Sequence, residues 1–202
     1  MPINQVVTGN ALKRSLLPAV GMLLIALGMI IASQGIWIHA KAFVAQILLE
    51  RAFAESIEAG APVKPRSWAD TWPVARIKAP RLNESAIALK GASGQALAFG
   101  PGHLDNTPMA GERGTAVYAA HRDTHFAFLK NVEKNDQILV TRSDGKTISY
   151  RVSHMAVARW DEAKIPENGE GRHLILATCY PFDAITPGPL RYLVYADMEE
   201  LQ

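Results

Sequence analysis

The strongest hydropathy feature is a run without a charge from Leu16 to Ile38, LLPAVGMLLIALGMIIASQGIWI, 23 positions long. As a helix rising about 1.5 Å per residue it reaches roughly 34 Å, enough to cross the hydrocarbon core of a bilayer. Lys13 and Arg14 stand just before it and Trp37 near its far end. The positive-inside rule then places residues 1–15 in the cytoplasm, residues 16–38 in the membrane and the rest outside. A cleaved signal peptide is the competing reading, because Ala40-Lys41-Ala42 has the small-x-small form of a cleavage site. The apolar core of such signals is about 7–15 residues, which favours a retained single-pass anchor.

After the run, residues 41–58 place apolar side chains at Phe43, Ile47, Leu48, Phe53 and Ile57. That spacing predicts a helix continuing from the anchor, a spacer by the simplest reading. Gly60, Pro62 and Pro65 then mark a linker, so residues 39–71 read as an extracytoplasmic helix and linker. From residue 72 the period changes to short strands between turn residues, at Val74–Ile77, Ala86–Leu89, Thr115–Ala120, Ile138–Val140, Ile148–Val157, Leu174–Thr178 and Tyr192–Ala196. Ser143-Asp144-Gly145 is a hairpin signal. One helical turn is expected around Phe126–Val132. About eight strands in residues 72–202 predict an all-β barrel or sandwich.

Charge narrows the function classes. Residues 71–202 carry 15 Lys/Arg and 15 Asp/Glu, and the chain's excess of +2 comes from Lys13 and Arg14. No basic stripe points to nucleic acid. The chain has one cysteine. It has no intramolecular disulfide partner and no zinc-type Cys/His spacing. No metal or cofactor is expected. His121 and His125 form an H-x-x-x-H pair, but the Glu of a zincin motif and an obvious third ligand are missing. No clustered acidic loop points to calcium.

Cys179 is therefore either a small buried hydrophobe or a reactive thiol. Leu174-Ile175-Leu176-Ala177-Thr178 puts it at the end of an apolar strand, followed by the turn-rich segment 180–189. A strand end is a rigid mount, and the loop beside it can shape a groove. An ordinary thiol is only a few per cent thiolate at neutral pH, so nucleophilic chemistry needs a partner. Of six histidines, His121 has a comparable mount, at the end of Thr115–Ala120. The others, His103 among them, have no special context. Arg191 opens the last strand; its fixed charge and donors suit a carbonyl or a developing oxyanion, and a surface ion pair is the plainer alternative.

Together, Ala119-Ala120-His121-Arg122-Asp123, Leu176-Ala177-Thr178-Cys179 and Arg191 resemble the sortase family. Phe99-Gly100-Pro101-Gly102-His103 and Gly111-Glu112-Arg113-Gly114 are similar to that family's approach to its histidine. Ala120 stands where many members have Gly. The resemblance implies an eight-stranded β-barrel and acyl transfer through a thioester. Cys179 would be the nucleophile, His121 the proton carrier and Arg191 the electrostatic stabiliser. The substrate it implies is a secreted protein with a C-terminal sorting signal of LPXTG type; the acceptor amine is left open. Cys179–Asp183 with Thr186–Arg191 looks most like the proteobacterial branch, implying an inner-membrane anchor and a periplasmic catalytic domain. Asp123 would either orient His121 or cap the helical turn that follows, the cap being the simpler expectation. The rival readings are another cysteine enzyme, such as an L,D-transpeptidase or a protease, and a non-enzymatic binding domain.

Overall fold

The computed structural model describes residues 7–162 and 171–199; part of the expected cytoplasmic N-terminus, residues 1–6, lies outside them. The chain divides into two compact units, one ending at Ala45 and the other starting at Gln46. One helix, α1 (Val7–Ala59), runs through the division. In the first unit its large side chains, among them Met22, Leu23, Leu24, Ile25 and Ile31, are exposed. A helix apolar on all sides is stable only within an apolar surround. From Pro18 onward α1 is long and apolar enough to cross a membrane.

The second unit opens with the last turns of α1, and they dock rather than space. Leu49, Ala52, Phe53 and Ser56 are buried, at the i, i+3, i+4, i+7 positions of one helix face. Leu49 and Phe53 pack with Ile87, Leu89 and Ala96. The predicted stripe is therefore offset. Ile47 and Ile57 stay exposed, while Ala52 and Ser56 allow close approach. The Ser56 hydroxyl donates to the Ala52 carbonyl at 2.7 Å and accepts from Val63 N–H at 2.9 Å, so its burial leaves no orphaned group. Arg76 pairs with Glu50 and lies over the Phe53 ring at 5.3 Å.

Eight strands follow: β1 (Pro73–Ala79), β2 (Glu84–Lys90), β3 (Gly102–His103), β4 (Gly114–Ala119), β5 (Gln137–Arg142), β6 (Thr147–Arg159), β7 (Arg172–Cys179) and β8 (Leu190–Met198). They close into a barrel in the order β1-β2-β3-β4-β7-β8-β6-β5, the all-β barrel expected from the sequence. Closure removes the unpaired edges of an open sheet. Strand β3 is absent from the hydropathy pattern because two residues show no alternation. Gly102 is there for space: a Cβ on it would meet the Gly91 carbonyl oxygen at 2.4 Å. The predicted hairpin joins β5 and β6, with Gly145 at φ +81, a conformation that favours glycine.

Two helical segments exceed the single turn expected. One is the 3-10 turn Pro80–Leu82, and the other is α2 (Gly94–Leu97), capped by the Ser93 hydroxyl accepting from Ala96 N–H at 3.2 Å. The expected turn is a 3-10 helix over Ala127–Asn131. Its cap position is Phe126 and carries no side-chain hydrogen bond, so Asp123 does not cap it.

Strands β4, β7 and β8 keep a period-2 alternation. Even-numbered residues Ala116 and Tyr118 of β4, Leu174 and Leu176 of β7, and Val194 and Ala196 of β8 face the main core, which Ala120 joins just past β4. Odd-numbered Val117, Ile175 and Leu193 form a separate apolar cluster on the opposite face.

Candidate active site

The odd-numbered face leads directly to the candidate residues. Strands β4 and β7 are parallel, with Val117 beside Ile175 and Ala119 beside Ala177. Two residues further on, with the same parity, come His121 and Cys179. Strands β7 and β8 are antiparallel, and there Cys179 is the register partner of Arg191. All three side chains line one cleft of about 300 Å³. Its floor is the apolar cluster of Val117, Ile175 and Leu193. Cys179 is partly buried and His121 exposed.

Hydrogen bonds fix the ends of these strands against one another. Ala120 N–H donates to the Ala177 carbonyl at 3.1 Å. The buried Thr178 hydroxyl donates to the Ala120 carbonyl at 2.8 Å. These bonds tie the residue before His121 to the residue before Cys179. Beyond them, Phe126 N–H donates to the His121 carbonyl at 3.1 Å, closing the turn that follows the histidine. Asp123 is exposed and makes no hydrogen bond to His121 among the described residues. Arg191 Nη1 donates to the carbonyls of Gly188 and Leu190, both at 2.8 Å. Its Nε and Nη2 have no protein partner among the described residues, so those donors are available to an oxygen in the cleft.

The remaining described histidines do other work. His125 sits on the same closed turn as His121. Burial pushes its pKa down and the neighbouring His121 adds to the shift, so it stays neutral at ordinary pH. No group of three metal-ligating side chains includes this pair among the described residues. His103 lies in the two-residue strand β3 and is buried. Its Nε2 lies 3.0 Å from the Pro108 carbonyl and its ring packs on Tyr118. Burial holds its pKa below the ordinary value. His173 pairs with Asp197 at 2.7 Å, six residues along β7 from Cys179 and so about 20 Å away. His154 stacks on Tyr195, with ring centroids 4.4 Å apart.

Sequence reasoning did not identify the rest of the cleft lining. Leu97 of α2, Trp160 after β6, and Leu193 and Tyr195 of β8 line it. Counting by two from Arg191 reaches Leu193 and Tyr195, so parity would have found those. Trp160 joins the site through its backbone, donating N–H to the Pro189 carbonyl at 2.9 Å, and sequence spacing carries no sign of that.

A thiol, an imidazole and a guanidinium at one end of three adjacent barrel strands define a candidate site for thiol-based acyl transfer. Comparison shows the family: the sortase domain model matches residues 77–199, and the chain belongs to the sortase family. Sortase D of Bacillus subtilis (strain 168) is 32% identical over 119 residues, which make up 59% of this chain and 60% of that protein. Sortase A from Corynebacterium diphtheriae superimposes with a TM-score of 0.60 at 25% identity, covering 67% of this chain and 64% of that one. The Clostridium perfringens sortase D5 transpeptidase covers 78% of this chain and 99% of that one, with a TM-score of 0.62. At 20% identity that likeness speaks to the fold alone.

Proposed function

We propose that this chain is a membrane-anchored cysteine transpeptidase that cleaves an LPXTG-like C-terminal sorting signal and transfers the acyl group to an amine. The observation that carries the reading is the convergence of His121, Cys179 and Arg191 on one apolar-floored cleft, with Cys179 in register with Arg191. The Cys179 thiolate attacks a substrate backbone carbonyl, and the oxyanion that forms is met by the Arg191 donors not held by its own loop. The C–N bond then breaks as His121 gives its proton to the leaving amine, leaving a thioester on Cys179. An incoming amine attacks the thioester, loses a proton to His121 and releases the thiolate. The apolar floor suits the extended, uncharged part of a sorting signal.

In this reading residues 72–202 are the catalytic domain. Residues 16–38 anchor it, residues 39–71 form the extracytoplasmic helix and linker, and residues 1–15 lie in the cytoplasm. Two features support the topology: the apolar helix near the N-terminus and the Lys13-Arg14 pair before it. The likeness of Cys179–Asp183 and Thr186–Arg191 to the proteobacterial branch supports an inner-membrane anchor with the barrel in the periplasm. The substrate is then a secreted protein bearing the sorting signal.

The test is intact mass spectrometry of the full chain in detergent, incubated with an LPXTG-type peptide, beside Cys179→Ala. An acyl adduct on Cys179 that is absent from the variant and discharged by an added amine is the expected result. No adduct with any related peptide under slow-turnover conditions overturns the substrate class. If Cys179 also resists alkylation in the folded protein, the nucleophile assignment falls with it.

A further inference from the structure

Seven arginines of the barrel unit donate side-chain hydrogen bonds among the described residues, and they divide by partner. Arg76, Arg81, Arg142, Arg151 and Arg159 each face a carboxylate. Arg122 and Arg191 direct their hydrogen bonds to main-chain carbonyls instead. Arg122 Nη2 donates to the Ala184 carbonyl and, at 3.1 Å, to the Thr186 carbonyl. Arg191 takes the next two alternate carbonyls, Gly188 and Leu190. The connection between Cys179 and Arg191 is thus gripped at residues 184, 186, 188 and 190 by two guanidinium groups.

Arg122 is half-buried, and its Nη1 is screened from solvent without a partner among the described residues. Withdrawing a guanidinium from water without a carboxylate partner is costly, and a buried donor without an acceptor adds to that cost. Such an arrangement is a poor choice for stability alone. Arg122 directly follows His121 and reaches the loop that joins the thiol to Arg191. The start of that loop is anchored by Phe182, which packs on the main core and against the rings of Tyr180 and Tyr192; beyond Phe182 few other described contacts hold it. Among backbone bonds, Tyr180 N–H meets Leu190 at 3.0 Å, Trp160 N–H meets Pro189 at 2.9 Å and Ala184 N–H meets Pro181 at 3.3 Å. The Thr186 amide donates no backbone hydrogen bond among the described residues, Pro187 has no N–H to give, and Ile185 is 99% exposed.

We propose that Arg122 is a positioning residue that locks the Cys179–Arg191 loop to the His121 segment, so that thiol, imidazole and guanidinium keep one relative geometry. This rests on the transpeptidase reading for its catalytic consequence, but not for its structural one. A fork donating to two carbonyls in fixed directions suits arginine; lysine retains the charge and has donors for both carbonyls, with less directional control. Since Arg191 acts on charge that develops in the transition state, a loop that wanders lowers kcat and leaves substrate binding nearly intact.

The experiment uses the full chain in detergent as wild type, Arg122→Met and Arg122→Lys. Methionine keeps the apolar stem and removes every donor. Amide hydrogen exchange over residues 182–188 and steady-state transfer of an LPXTG-type peptide to an amine are measured on each. Arg122→Met is expected to exchange faster across 182–188 and to lose kcat by about ten- to a hundredfold with KM within about threefold. Arg122→Lys is expected to recover most of the exchange protection and part of kcat. Unchanged loop exchange in Arg122→Met overturns the proposal, as does a rise in KM at constant kcat, which would make Arg122 a substrate contact. If the wild type forms no thioester, the transpeptidase reading has failed, and loop exchange alone then decides the positioning role.

Discussion

Replacing Thr178 by valine tests whether the hydroxyl that joins the two strand ends holds the site together. Thr178 is 2% exposed and its Oγ1 donates to the Ala120 carbonyl at 2.8 Å. Valine has nearly the same shape, so Thr178→Val opens no cavity. It places a methyl against a carbonyl that has lost its donor and is shut off from water. A buried acceptor orphaned in this way costs about 1–3 kcal/mol. In a protein of this size each kcal/mol moves Tm by about 2–4 °C, so a fall of roughly 2–12 °C is expected. Thr178→Ser keeps the bond and loses one methyl, a loss of about 0.8 kcal/mol in transfer terms. The predicted order of stability is therefore wild type, then Ser, then Val. The residues bonded here immediately precede His121 and Cys179, and a displacement near 1 Å between reacting groups costs up to about a hundredfold in rate. Thr178→Val should accordingly lose kcat at a temperature where it is fully folded, and Thr178→Ser should lose little. Near-UV circular dichroism of the full chain in detergent gives the unfolding midpoints, and single-turnover acylation gives the rates. A valine variant as stable as wild type, or a serine variant less stable than valine, would refute the reasoning.

Other perturbations separate the remaining parts of the structure. Arg191→Lys should cost kcat by about 10²–10³, the scale of a lost oxyanion donor, because an ammonium cannot hold its loop carbonyls and reach into the cleft at once; steady-state kinetics checks it. Phe53→Ala removes a side chain 3% exposed and should destabilise the barrel unit by about 3–5 kcal/mol, seen as a lower denaturant midpoint. The carboxyl of Asp136 is held below its ordinary pKa chiefly by its hydrogen bond to Arg81. A depressed folded-state pKa gives stability that is present above the unfolded value of about 4 and lost as pH falls through the folded value. Urea midpoints should therefore drop more steeply on the acid side in wild type than in Asp136→Asn. The difference should be small, because the Arg81 side chain is 44% exposed and solvent screens the pair.

Most of the barrel is legible in the sequence because its strands alternate. Seven of the eight strands contain stretches of apolar residues bounded by turn chemistry, and the hairpin at Gly145 announces itself. The elements that escape are those shorter than one period of any pattern, β3 with two residues and α2 with four. The docked end of α1 escapes for a different reason. Its buried face contains Ala52 and Ser56, which a reading weighted toward large side chains passes over, while the large Ile47 and Ile57 remain exposed. At the site, the strand-end positions of Cys179 and His121 can be read locally, since each closes an apolar run. Arg122 cannot. Its role depends on carbonyls some sixty residues away, and a guanidinium that bonds main chain leaves no complementary charge in the sequence to find.

Strand direction explains why a sequence so spread out yields so small a site. Cys179 ends β7 and His121 lies just past the end of β4, and only the parallel pairing of β4 with β7 brings two C-terminal ends to the same edge. Antiparallel pairing would separate them by the length of the six-residue β4, roughly 20 Å at about 3.3 Å per residue. Arg191 sits at the N-terminal start of its strand, so it needs the opposite rule, and the antiparallel pairing of β7 with β8 supplies it. Parity adds the second condition. A one-residue slip of β8 would turn Arg191 toward the barrel core and bring Tyr192 into the cleft. Such a slip is resisted by the interior face, where Val194 and Ala196 are fully or almost fully buried and would be driven out into the cleft. The apolar core thus fixes the register that the polar site depends on. Substitutions that weaken packing at Val194 should then disturb Arg191 through register before they lower stability enough to unfold the barrel, and Val194→Ala, assayed for kcat at temperatures well below its Tm, distinguishes that order from simple global destabilisation.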